Sequence, residues 1–209
     1  MRCARLTGRS RRLEGGSPLS QAVRGRVSVR DLVSCALFAA LIAVGTFVKI
    51  PTPLLPLTLQ TLFVVLAGLV LGERLGAVAA GIYAAAGLMG VPIFAAGGGI
   101  GYLLNPTFGY ILSFIAGAWV AGRAVRLWGR GLWRETLAGA VAIALIYIVG
   151  ATWYYLVARY YIGRELTVPA LFWSFLVLPL PGDLLSCFAA AILSQRLRAL
   201  MPGRFVRDR

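Results

Sequence analysis

The stretch Tyr83-Ala-Ala-Ala-Gly87-Leu-Met-Gly90-Val-Pro92-Ile-Phe94-Ala-Ala-Gly97-Gly98-Gly99-Ile-Gly101-Tyr102-Leu-Leu-Asn105-Pro106-Thr107-Phe-Gly109-Tyr110 decides how the chain is read. An apolar segment reaches Pro92, a glycine-dense turn follows, and a new apolar segment starts at Thr107. Glycines at 97, 98, 99 and 101 let the backbone approach itself or a ligand closely. At membrane depth such irregular backbone is tolerated only where it is buried in protein or lines a cavity. Taken alone, the glycines fit an ordinary connection between two membrane helices equally well.

Composition sets the class. The chain has 209 residues, 59% of them hydrophobic and 13% charged, with a mean hydropathy of +0.82. A soluble domain has roughly 45–50% apolar and about 25% charged residues. The sequence therefore describes an integral membrane protein of one compact helical bundle. Its net charge of +14 resides in arginines of the tail and loops. The preference of cytoplasmic loops for positive charge accounts for this better than a nucleic-acid surface does. Cys3, Cys35 and Cys187 lie far apart and read as small packing residues, without a disulfide framework or metal site. Histidine is absent, which removes the commonest general base and metal ligand.

Residues 1–30 have the composition of a basic, disordered cytoplasmic arm, lacking the cleavage site of a signal peptide. A misplaced start codon is an alternative account of the arm. Residues 31–198 read as the membrane domain and 199–209 as a basic cytoplasmic tail. The first span is expected over Leu32–Val48, where Ala36/Ala40 and Ala39/Ala43 form two overlapping small-xxx-small pairs. Intramolecular packing is the plainer role for such pairs. Lys49, the single lysine, ends the span, and the prolines at 51, 53 and 56 force an extended connection. Leu57–Leu71 is the second span, with Gln60 near its outer end, and Gly72-Glu-Arg-Leu-Gly76 is a tight turn. The third span runs from about Leu75 into the glycine loop, the fourth over Thr107–Gly122 and the fifth over Thr136–Ala158. Leu166–Ser194 is too long for one crossing, and Pro179-Leu-Pro181-Gly182 divides it into a short lip helix and a sixth span over Gly182–Gln195. Asp183 then falls in a first helical turn, where the helix dipole favours an anion.

With six spans, every basic residue except Lys49, Arg159 and Arg164 lies on one side. That side is cytoplasmic and holds both termini. The glycine loop, Lys49, Gln60 and Asp183 share the external side and suggest one pocket there. Ionisable residues inside a membrane are functional candidates, Asp183 foremost.

Four segments together resemble the BioY family, the biotin-binding S components of energy-coupling factor (ECF) transporters. They are Ile50-Pro51 through Pro56-Leu-Thr58-Leu-Gln60; Gly90-Val-Pro92-Ile-Phe94-Ala with the glycine run; Pro106-Thr107-Phe-Gly109-Tyr110; and Pro181-Gly182-Asp183. The resemblance covers about residues 32–197. It implies biotin as substrate, no cofactor, a cell-membrane location, and as partners a transmembrane coupling (T) subunit and two ATP-binding cassette ATPases. It would place ligand contacts on Gln60, Tyr83, the glycine loop and Asp183, and the T-subunit contact on Ala36, Ala39, Ala40 and Ala43. Many members carry a lysine three residues after the aspartate, where this chain has Ser186. Recognition of the ligand's carboxylate does not carry over at that position, leaving Lys49, Arg159, Arg164 or the backbone of Gly97, Gly98 and Gly99 to provide it.

The residues suit that ligand on chemical grounds too. Biotin offers a ureido ring with two N–H donors and a carbonyl, an apolar thiophane and a valerate tail. Asp183 accepts, Gln60 donates and accepts, and aromatic or glycine surfaces enclose a ring. For Tyr83, Tyr102 and Asn105, packing or helix capping competes with ligand contact. The alternatives are an S component for another vitamin, a membrane-embedded enzyme, or an assembly subunit. Neither His-Glu-x-x-His, Gly-x-Ser-x-Gly nor a Gly-Lys-Ser/Thr phosphate loop is present, so an ATP-driven step falls to a partner.

Overall fold

The computed structural model describes residues 28–50, 57–163, 173 and 177–200. Most of the basic arm, the extended connection over 51–56, the lip helix (but for Trp173, Val177 and Leu178), Arg164 and the end of the tail lie outside these residues. Helix α1 spans Val29–Phe47 and begins ahead of the expected Leu32. A reciprocal cap explains the extension: the Ser28 hydroxyl accepts from the Arg30 N–H, and the Asp31 carboxylate accepts from the Ser28 N–H. The cap nucleates a polar first turn that hydropathy alone does not register.

After α1 the chain makes a minimal antiparallel ladder, β1 (Lys49–Ile50) with β2 (Leu57–Thr58), in which Lys49 faces Thr58 and Ile50 faces Leu57. Helix α2 covers Gln60–Leu88 but is not one rod. At Gly72 the backbone turns to φ 83° and ψ 178°, and the chain folds back on itself. A Cβ on Gly76 would lie 2.9 Å from the Gly68 Cα, an approach impossible along a straight helix. The two limbs of α2 therefore lie side by side, and the turn is tighter than the five-residue stretch expected. Gly122 of the next helix closes against it, where a Cβ would fall 2.3 Å from the Glu73 nitrogen.

A 3₁₀ turn over Ile100–Leu104 leads into α3 (Phe108–Trp128), followed by α4 (Leu132–Tyr160) and α5 (Leu180–Leu200). Among the described residues, α1 to α4 are long and apolar enough to cross a membrane, α2 counting as one. Helix α5 is more polar, and it buries its small face, Ser186, Cys187, Ala190, Ala191 and Ser194, against the bundle. Small residues set the seams throughout: Gly117 of α3 meets Ile146 of α4, and Gly68 of α2 meets the Ala118 carbonyl. In lipid such close approach drives association by van der Waals packing, because burial from water no longer does so.

Alternating helix directions bring the C-terminus of α1, the start and end of α2, and the starts of α3 and α5 to one end of the bundle. At the opposite end, Glu73 beside the hairpin turn accepts from Arg126 at 2.6 Å and Arg123 at 3.4 Å. Also there, the fully buried Glu135 of α4 pairs with Arg198 of α5, which reaches the Ser194 hydroxyl and the Leu69 carbonyl as well.

Candidate functional site

The glycine loop is built by glycine where side chains do not fit. Phe94 and Gly97 exchange backbone hydrogen bonds of 2.9 and 3.1 Å, and the Gly99 N–H donates to the Gly87 carbonyl at 2.7 Å. Gly90, Gly97 and Gly99 hold positive φ, which side chains rarely tolerate. A Cβ on Gly87 would fall 2.0 Å from the Phe94 ring, so Gly87 is the seat of that ring. Phe94 in turn packs between Tyr83, edge-on at 5.5 Å between ring centroids, and Tyr102, tilted at 4.7 Å. The loop is thus bolted to the end of α2 through an aromatic column.

This column backs a cavity of about 260 Å³ at the same end of the bundle. Typical ligand pockets run from roughly 300 to 1,000 Å³, so this one suits a small molecule held closely. Thr58 and Gln60-Thr61 form one wall. Ala95 and Tyr102 from the loop form a second, and Tyr110, Ile111 and Phe114 of α3 a third. Ile146 and Tyr147 of α4 face Gly182, Asp183 and Ser186 of α5 across it. The lining is mixed: apolar and aromatic surfaces with a few polar groups converging.

Two polar clusters stand out. In the first, Gln60 Nε2 donates to the Tyr83 hydroxyl at 2.6 Å, while the Thr58 hydroxyl donates to Gln60 Oε1 at 3.1 Å. The Tyr83 hydroxyl also meets the Ile93 carbonyl and Thr46. Tyr83 is 1% exposed and lies behind Gln60, so its role is to orient the amide that lines the cavity. In the second cluster the Tyr147 hydroxyl donates to Asp183 Oδ2, with Thr61 beside the carboxylate. The backbone N–H of Asp183 is used within its own helix turn, donating to Pro179 at 3.0 Å. Asp183 is therefore held by neutral donors and keeps acceptor capacity towards the cavity.

The remaining sequence candidates occupy distinct places. Tyr102 lines the cavity and shares a 2.9 Å hydrogen bond with Thr107, and burial pushes its phenol pKa up, keeping it protonated. Asn105 accepts from the N–H and hydroxyl of Thr107, fixing the start of α3. Gly97, Gly98 and Gly99 shape the loop, whose Ala95 and Tyr102 face the cavity. Lys49 sits exposed at the rim and donates to the Ala95 carbonyl at 3.2 Å. On α1, Ala36 and Ala40 lie exposed beside Val33, Leu37 and Val44, whereas Ala39 is 7% exposed and Ala43 is partly buried. The two small-residue pairs thus face different surroundings. Sequence reasoning did not single out Tyr147, Thr61 or Phe114, and met Tyr110 only as the end of a motif and not as part of the site. The available signal was a lone tyrosine within Ile143-Ala-Leu-Ile146-Tyr-Ile-Val149 and a threonine beside Gln60.

Helical among its described residues but for one two-residue ladder, multi-pass by composition, and carrying an acid-and-amide cavity without histidine, the molecule belongs to the membrane-embedded ligand-binding proteins. Comparison with known proteins narrows this. The BioY family model matches residues 19–203, and the chain belongs to that family. It is 38% identical over 171 residues to a protein of Lysinibacillus sphaericus described as a probable biotin transporter BioY, covering 81% of this chain and 87% of that one. A biotin transporter BioY of Rhizobium etli is 34% identical over 189 residues, covering 85% and 96%. The fold matches the crystal structure of an S-component for biotin from an ECF-type ABC transporter with a TM-score of 0.71. That match is 23% identical and covers 86% of this chain and 93% of that one.

Proposed function

We propose that this chain is the biotin-binding S component of an ECF-type transporter, capturing biotin at the external face of the cell membrane for ATP-driven import by partner subunits. On this reading it crosses the membrane six times, the two limbs of α2 each counting as one span, with both termini cytoplasmic. The cavity then opens outwards, and the ends carrying Arg123, Arg126, Arg130 and Arg134 face the cytoplasm, in keeping with the positive-inside rule. The partners are a T subunit and two ATPases, and the exposed Ala36/Ala40 face of α1 is the surface offered to the T subunit.

The observation that carries the reading is the cavity. Asp183 accepts from ureido N–H groups, Gln60 answers the ureido carbonyl or an N–H, and Tyr102, Tyr110 and Phe114 enclose the bicyclic ring. Tyr83 and Asn105 act one step back, holding Gln60 and the loop, and the glycines at 97–99 give the loop its shape. Lys49 guards the rim. The test is direct: protein purified from cells grown with biotin should carry close to one biotin per chain. Stripped protein should rebind it in calorimetry. Rebinding of a different vitamin with no response to biotin would make this an S component of other specificity, and binding of none would remove the transport reading.

A further inference from the structure

Among the described residues lining the cavity, Asp183 is the one charged group; Ser186, further along α5, offers only a hydroxyl. A ligand carboxylate drawn inside would sit near Asp183, in about 260 Å³, with no basic side chain among the described lining residues to offset it. Burying an unpaired charge beside a like charge is strongly unfavourable. The glycine loop is a poor substitute as an anion nest, because the N–H groups of Gly97 and Gly99 are already donated to Phe94 and Gly87.

The rim differs. Val48 and Thr58 line the cavity, and Lys49 lies between them, next to Val48 in the chain and opposite Thr58 in the ladder. Its ammonium reaches the carbonyl of Ala95, a third lining residue, and of its three donors this contact uses one. A water-exposed cation anchored to the cavity wall can meet an anion that stays outside.

We propose that the site, on the biotin reading given above, grips its ligand by the N–H-bearing ring alone and leaves the carboxylate at the rim beside Lys49. The substrate class then extends to biotin whose carboxyl is capped as an ester or amide. Lys49 adds affinity for the free acid and little for the capped forms. A carboxylate read inside the cavity would give the opposite ranking, since capping would leave its partners unpaired.

The experiment measures calorimetric affinities of biotin, biotin methyl ester and biotinamide for the full-length protein, for Lys49→Gln and for Lys49→Arg. In the wild type, ester and amide should bind within tenfold of biotin. Lys49→Gln should weaken biotin at least threefold without moving the capped ligands, and Lys49→Arg should recover most of that loss. Ester and amide more than tenfold weaker, with biotin bound normally, would overturn this inference and leave the biotin reading intact. No biotin binding to the wild type would remove both. Equal loss of all three ligands in Lys49→Gln, or no loss of any, would overturn the role of Lys49.

Discussion

Asp183→Asn is the most informative single substitution. In the folded protein the carboxylate is held by the Tyr147 hydroxyl with Thr61 alongside, and no basic side chain lines the cavity among the described residues. Asparagine preserves the shape and can still accept from Tyr147 through its amide oxygen. What it loses is the charge presented to a ligand N–H. A charge-assisted hydrogen bond of this kind contributes about 1.5–3 kcal/mol, so biotin affinity should fall about tenfold to a hundredfold. The empty protein should respond in the other direction. Removing a charge held in a membrane-embedded cavity with no counterion among the described residues relieves a desolvation cost, so Tm should hold or rise. Tyr147→Phe removes a neutral donor and leaves the charge in place, a net loss of about 0.5–1.5 kcal/mol and a smaller change in affinity. In the double variant the two losses should add to less than their sum, since both act through one carboxylate. Calorimetry in detergent gives the affinities, and thermal unfolding of the ligand-free protein gives Tm. Unchanged affinity in a folded Asp183→Asn protein would refute the reasoning, as would a loss of affinity that merely tracks a loss of Tm.

Other consequences are open to measurement. Single cysteines at Arg130 and at Ile100, which is exposed in the glycine loop, in a variant without the native cysteines, should label from opposite sides of the membrane in intact cells; labelling of both from outside would defeat the six-span arrangement. Ala36→Leu or Ala40→Leu should abolish copurification with a T subunit while biotin binding survives, because both residues are exposed on α1. Ala39→Leu should instead lower Tm, since overfilling a packed seam costs about 1–3 kcal/mol and Ala39 is buried. Glu135→Gln should cost roughly 3–5 kcal/mol of stability by stranding Arg198 in a half-buried site. Arg198→Met in the same chain should restore much of the lost Tm, and its failure to do so would mean that the pair is not the cause.

Much of this molecule can be read along its chain. Hydropathy marks the apolar segments, Gly72 and Gly76 mark the hairpin turn, and Pro179-Leu-Pro181-Gly182 marks the start of α5. Each is a local signal, fixed by backbone sterics or transfer energy, and needs no knowledge of neighbours. Asp183 and Gln60 stand out for the same reason, as polar groups in apolar surroundings. What faces what is a different matter. In a soluble helix an apolar stripe points to the core, but in lipid both faces are apolar, and periodicity no longer separates inside from outside. Hence Ala36/Ala40 and Ala39/Ala43 look alike in sequence, and only the packing of α1 on α2 exposes one pair and covers part of the other. Tyr147 reached Asp183, and Glu135 reached Arg198, only once α4 and α5 lay side by side. The Ser28/Asp31 capping box is likewise a local signal, one that hydropathy does not register. The chemistry of the site was thus written in residue types, whereas its walls and the partners of its acid came from helices distant in sequence, brought together by close contacts between small residues.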